Sequence, residues 1–460
     1  MIQCELVPQI HGFSMAQMTF ELSIKQLQTN AQFILDRASA LGATAAQVSI
    51  SESIETDIDV LNNSIENFEN SYDTSLEISI YLGYNKVHIG TSQINLDNLD
   101  PLLTRAIQSA KFVEADPHNG IAEPELLCRS YTDNLCLYNP TDISNADLVA
   151  KVKNIESLAL QADTRISSSN GAALSLGKYN FVLANTNGFN LGYQTTRFDT
   201  SISLIGNNKT GMQTDYWYDS SRDFNDLIAD EELATMAAYR TTRRLNMGKI
   251  KAGSYPVIFE YPIAKALIGN FLGAINGNNL YRKLSFLNDS INTQIFPSWV
   301  NIDEDPFILK GLASCYFDNE GVRVGKHPLV DNGIVRNYQL NCYTARKLQM
   351  QSTGNSGGNH NILVNSNFNG DIHALAKIMS KGLIVTETIG HGLNMVTGDY
   401  SFGASGLWVE GGEIKFFVDN ITLAGNLKQT FQNILQIAND CKRGGIICGS
   451  MLIDNVTISV

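Results

Sequence analysis

Strict alternation in two short segments constrains this chain most. Ile54, Thr56, Ile58 and Val60 fall on one side of an extended backbone, and Glu55, Asp57 and Asp59 on the other. Leu76, Ile78, Ile80 and Leu82 repeat the period, and Gly83 opens the turn after them. Successive side chains of a strand point to opposite faces, so each segment has one buried and one wet face. A sheet built of such strands is antiparallel. Before them, Leu27, Ala31, Ile34, Leu35, Ala38 and Leu41 recur at helical spacing and Gly42 ends the helix. After them, Pro101 opens a second helix through Leu103, Ile107 and Ala110, closed by Asp116-Pro117. Helix, strands and helix predict one α+β unit over 21–120.

A second α+β unit is expected over 121–245. Ser144 with Asp147 reads as a capping box ahead of a stripe at Leu148, Val152, Ile155 and Ala159. Strands follow at 179–184 and 198–204 around an Asn187-Gly188 turn. Another helix is predicted over 223–245. The composition turns to glycine and lysine at 246–254, which places the main domain boundary there. From 255 onward the pattern is strands and glycine turns, interrupted by expected helices over 263–275 and 428–439. Residues 1–20 show no period and read as a loose extension, with Met15 and Met18 as alternative starts. The expected fold class is α+β: an N-terminal α+β region, then a mostly antiparallel, strand-rich domain over 246–460 with a glycine-rich cleft.

That cleft is placed in the stretch 382–409. Leu383, Ile384 and Val385 read as a strand, then glycines stand at 390, 392, 398, 403 and 406. A loop this rich in glycine lets the backbone approach something closely. Gly398, Asp399, Tyr400, Gly403 and Gly406 are the candidate cleft residues. Asp399 and Tyr400 are the polar side chains of any reach; the alternative is that Asp399 caps a turn and Tyr400 packs.

Chemistry is harder to find. A zinc peptidase helix needs two histidines a turn apart and a glutamate beside the first. The seven histidines are 11, 88, 118, 327, 360, 373 and 391, and no two are four or five apart. His360 and His373 read as loop or surface residues around a strand at 362–364. Glu387 and His391 are four apart but flanked by Gly390 and Gly392, so they are either an acid/base pair or an ordinary loop pair. No P-loop or dinucleotide fingerprint occurs. Seven cysteines without a CxxC read as packed thiols in a reducing compartment. The net charge of −13 argues against a nucleic-acid surface. The densest basic patch, Arg240, Arg243, Arg244, Lys249 and Lys251, reads as a solvated helix end. With no unbroken run of about 18 apolar residues and no secretory leader, a soluble cytoplasmic protein without a membrane role is expected. The residues alone predict a two-domain α+β protein with a glycine-lined cleft and no catalytic constellation.

Several segments add a resemblance. GAINGNNLYRKLSF (273–286), CYFDNEGVRVGK (315–326), YTARKLQMQSTG within 333–354, VTGDYSFGASGLWVE (396–410) and TLAGNLKQTFQNILQIAND (422–440) resemble the PmbA/TldE branch of the TldD/PmbA family. Residues 43–92 are similar to that family's first domain. In the TldD branch a helix carries HExxxH, and its two histidines with a distal cysteine hold the metal. Aligned on Tyr281-Arg282-Lys283, that slot falls here on Gly269, Asn270, Phe271, Leu272, Gly273 and Ala274. Gly269 and Ala274 cannot ligate a metal, and Asn270 cannot serve as a carboxylate base. Cys448 lies near the distal cysteine's place, but IICGSML does not match its surroundings.

The resemblance therefore implies no catalytic residue, metal or cofactor on this chain. It implies a noncatalytic subunit that pairs with a TldD-type zinc metallopeptidase, the metal being held by that partner. The pair would enclose a chamber for proteolysis of unfolded or extended peptides, in maturation or degradation. The alternatives are a metal-independent peptidase in its own right, and a homodimeric peptide-binding protein without a proteolytic partner. The family also carries the label modulator of DNA gyrase, for which the acidic balance gives no physical support.

Overall fold

The alternating segments are parts of much longer strands. The computed structural model describes residues 18–92, 94, 99–209 and 211–460; most of the extension expected at 1–20 lies outside the described residues. After α1 (Ile24–Ala40) come β1 (Ala45–Leu61), β2 (Ser64–Leu82) and β3 (Asn85–Thr91). Helices α2 (Leu99–Ala110) and α3 (Asn145–Gln161) follow, then β4 (Ile166–Asn185), β5 (Phe189–Asn208), β6 (Gly211–Ser221) and α4 (Asp230–Arg243). The six strands form one antiparallel sheet in the order β3-β2-β1-β4-β5-β6. Strands from both stretches divided at 120 thus share a single sheet. β1 alternates buried and half-buried residues along its whole length. It turns into β2 at Asn62-Asn63, both at positive φ, which gives the twist a two-residue hairpin requires.

All four helices lie on the face to which the even-numbered residues of β1 point. Val48 and Ile50 pack with α1 and α2, and Ile54, Ile58 and Val60 with α3 and α4. α1 is capped as its sequence demands: Ser23 accepts from the Gln26 N–H, Gln26 reaches back to the Ser23 N–H, and Gly42 follows at positive φ. At α3 the Ser144 hydroxyl accepts from the Asp147 N–H, but the Asp147 carboxylate accepts from that hydroxyl rather than from the backbone. The helix expected over 223–245 is broken. A 3-10 turn at Phe224–Asp226 precedes α4, because Asp223 caps the short turn first.

The second half holds two sheets. Its elements are β7 (Gly253–Phe259), α5 (Tyr261–Ala274), α6 (Gly277–Tyr281), β8 (Ile302–Asp305), β9 (His327–Asp331), β10 (Ile334–Val335) and α7 (Cys342–Leu348). They continue with β11 (Asn361–Val364), α8 (Ile372–Met379), β12 (Lys381–Ile389), β13 (Asp399–Glu410) and β14 (Glu413–Asn426). The last are α9 (Leu427–Gln432), β15 (Ile434–Ile437), β16 (Ile446–Ile447) and β17 (Met451–Ser459). One sheet runs β10-β9-β8-β11-β16. The other runs β14-β13-β12-β7-β17-β15, and a further β14–β17 pairing closes five of its strands into a ring. Closure leaves few free edges. Helix α5 covers one face and α8 the other, which is why 383–385 and 407–409 are continuously apolar rather than alternating.

The helix expected over 428–439 is half right. α9 stops at Gln432, and 434–437 pair with β17 as a strand. Short apolar runs fit either period, and pairing with β17 decides this one. The mixed α+β class with mostly antiparallel sheets holds throughout. No helix among the described residues is long and apolar enough to cross a membrane.

Candidate functional site

A cleft of about 340 Å³ opens between α5, the end of β12 and the turn at 390–393. Ile263, Leu267 and Asn270 enter it from one face of α5, where residues four and three apart stand above each other. Thr388, His391 and Phe402 line the opposite side. The parallel ladder between β7 and β12 covers only 383–385, and the Glu260 N–H then donates to the Val385 carbonyl at 3.1 Å. Beyond that point β12 has no ladder partner on this side among the described residues, so Thr388 presents strand edge to the cleft.

The five residues picked from the glycine-rich stretch stand elsewhere. Residues from 399 onward are strand β13, not loop, and none of the five lines the cleft. Tyr400 is 4% exposed; its ring stacks on Phe402 and its hydroxyl lies 3.0 Å from that of Thr430. Asp399 is exposed and closes a turn. Its carboxylate accepts from Asn426 Nδ2 at 2.8 Å, and that bond, with Thr397, holds its pKa below the usual range. Gly398 precedes the strand and lies against the ring of Phe286. Gly403 faces Ile389 across the ladder, with ordinary contact room for a Cβ at 3.6 Å. At Gly406 a Cβ would sit 2.1 Å from the Ile384 carbonyl oxygen, so this glycine lets two strands touch rather than a ligand enter.

The slot matched to HExxxH lies on α5. Asn270 lines the cleft, Gly269 has open space where its Cβ would be, and Ala274 is fully buried in the core. Cys448 is fully buried as well, and burial pushes its thiol well above its ordinary pKa. Among the described residues no three His, Cys, Asp or Glu side chains group closely enough to hold a metal ion. These residues do not fit a zinc site.

Glu387 and His391 share no hydrogen bond among the described residues. Glu387 accepts from Arg244 at 2.6 Å and from the Ser405 hydroxyl at 3.1 Å, while His391 faces the cleft. Arg244 belongs to the patch that the sequence suggested was solvated; its arginines are instead largely buried. Arg240 and Arg243 both pair with Glu260 at 2.8–3.0 Å. Arg240 also stacks over Trp217 and Arg244 over Phe417. Burial alone would raise the Glu260 pKa, but Arg243 and Arg240 outweigh it and hold the carboxylate below its usual value. This cluster fixes α4 to the start of α5 and to β12, directly behind the cleft.

His360 is buried too, not a surface residue. Its Nδ1 lies 3.3 Å from Cys315 Sγ and its Nε2 2.9 Å from the Gly354 carbonyl. Beside it, the fully buried Glu304 carboxylate accepts from the His360 N–H at 2.6 Å and lies 3.3 Å from His327 Nε2. Nothing in the spacing of these residues signals their meeting; the sheet β8-β11 brings it about.

Comparison with known proteins agrees with this architecture. Residues 252–460 match the model described as PmbA/TldA metallopeptidase C-terminal domain, and 138–245 that described as its central domain. The chain belongs to the PmbA/TldD metallopeptidase family. The Haemophilus influenzae protein named metalloprotease PmbA homolog is 38% identical over 95% of this chain and 96% of its own. A solved structure from Bacteroides thetaiotaomicron, described as a modulator of DNA gyrase, superposes with a TM-score of 0.89 at 24% identity, covering 94% of this chain and 98% of that one. TldE from Thermococcus kodakarensis gives a TM-score of 0.81 at 18% identity, over 94% of this chain and all of that one. At those identities the two structures show the fold alone.

Proposed function

We propose that this family member is a noncatalytic subunit that pairs with a TldD-type zinc metallopeptidase and helps enclose a chamber for unfolded or extended peptides. The observation that carries the reading is the face of α5 turned to the cleft. Where the TldD branch is expected to carry HExxxH, this helix carries Gly269, Asn270 and Ala274: the first and last cannot ligate zinc, and Asn270, the one of the three that lines the cleft, cannot act as a carboxylate base. What remains is a binding surface: an apolar helix face opposite a free stretch of strand edge. An extended peptide can pair with such an edge through its backbone and seat a side chain in the adjoining pocket, a mode that tolerates many sequences. The likeness to a protein named TldE fits a subunit of this kind.

Filling the cleft tests the reading. Ala266 is exposed on α5 and lines the cleft, so Ala266→Trp leaves the core alone. In a mixture with a TldD-type subunit the substitution is expected to slow peptide cleavage by about tenfold or more while the two subunits still co-elute. Full cleavage with the cleft blocked would rule out its role in holding peptide.

A further inference from the structure

A second pocket, of about 360 Å³, lies between the segment 127–135 and the loops bearing Phe307, Tyr316 and Arg323. One wall is a fixed aromatic platform. Tyr131 stacks on Tyr316 at 4.0 Å and 14°, and Tyr193 meets Tyr316 edge-on at 4.9 Å. The Tyr131 hydroxyl donates to the Gly192 carbonyl at 2.6 Å, and the Leu135 N–H donates to the Tyr316 hydroxyl at 3.1 Å. Neither ring is free to turn away. Leu127, Leu135 and Val324 make the pocket's base apolar, and Phe307 stands at its mouth 46% exposed.

The charges in this pocket are not balanced. Two guanidiniums, Arg129 and Arg323, line it against one carboxylate, Asp133. Arg129 donates to the Pro124 carbonyl at 2.6 Å. The Arg323 side chain makes no hydrogen bond or ion pair with any described residue. A guanidinium left over beside an apolar, ring-walled cavity matches a carboxylate, which it can bind through two parallel N–H bonds. One surplus positive charge suits a singly charged carboxylate better than a phosphate dianion. The volume is at the small end for ligand pockets and suits one large side chain with its terminal group.

We propose that this pocket binds the free carboxylate of a ligand with an apolar body, the C-terminal residue of a peptide. The proposal deepens the peptide-binding reading and rests on it for the source of the ligand. Arg323 takes the carboxylate, and the tyrosine platform with Leu127 and Val324 takes the last side chain. A chain end held here is distinguished from an internal segment, which has no terminal carboxylate to offer.

Calorimetric titration of the full chain tests this with four probes: N-acetyl-phenylalanine, its amide, and a hexapeptide ending in phenylalanine as acid and as amide. The acids are expected to bind, the amides about tenfold more weakly or not at all. Arg323→Gln is expected to bring the acids down to the level of the amides with an unchanged melting temperature. Equal binding of acid and amide, unaltered binding by Arg323→Gln, or no binding of any probe would overturn the proposal. Binding of the hexapeptide acid alone identifies a peptide end as the ligand; equal binding of N-acetyl-phenylalanine extends it to free apolar acids. Ala266→Trp is expected to leave the binding of N-acetyl-phenylalanine unchanged, since that probe is too short to pair with the strand edge beside α5, so failure here is distinguishable from failure of the cleft on α5.

Discussion

A Cβ on residue 406 would lie 2.1 Å from a backbone oxygen of the neighbouring strand, and such an overlap needs backbone movement. Gly406→Ala is expected to lower stability by about 1–3 kcal/mol, read from denaturant midpoints. Gly269 is the opposite case. It sits inside α5 with open space where its Cβ would be. Gly269→Ala is expected to raise stability by about 0.5–1 kcal/mol, because alanine loses less backbone freedom in a helix. His391 lines the cleft; on the proposed noncatalytic reading, His391→Ala is expected to change joint peptide cleavage by less than about tenfold. The two glycines also show why the site was only partly legible. A missing Cβ signals close approach, but not whether a ligand or the next strand approaches. At 406 it is the strand. Asn270 and its slot were reached through resemblance, since no local pattern marks a lost ligand.

At the scale of elements, α5 is anchored by one buried carboxylate. Glu260 precedes the helix and holds Arg240 and Arg243 from α4. Removing one partner of a buried ion pair leaves charge uncompensated, so Glu260→Gln is expected to cost about 3–5 kcal/mol in unfolding free energy. The sign with pH follows from the lowered folded pKa. Glu260 contributes fully above its unfolded value of about 4.3, and the contribution is lost as pH falls through the folded value. Melting temperatures of the native protein and Glu260→Gln should therefore differ most near neutral pH and converge in acid. None of this pairing could be read from the sequence, where the same arginines looked like a solvated helix end. Their partners are 17 to 143 residues away. Elements with a wet face were legible, as β1 and α1 show, because water imposes the period. The apolar run at 383–385 was legible as a strand as well, but 434–437 became one through pairing with β17 that local spacing does not encode.

The whole molecule joins a six-stranded sheet with helices on one face to a domain whose larger sheet closes on itself. The cleft lies in the second part, and the arginines of α4 tie its back wall to the first. On the proposed reading, α5 stands where the TldD branch would carry metal chemistry, and the face it turns to the cleft is apolar apart from the Asn270 amide. A partner subunit of the proposed kind would need no metal ligands of its own but would still have to hold peptide. Peptide cleavage by this chain alone, by a TldD-type subunit alone and by their mixture, each with and without a metal chelator, tests that claim most directly. Cleavage confined to the mixture and abolished by the chelator is the predicted result; cleavage by this chain alone would contradict it.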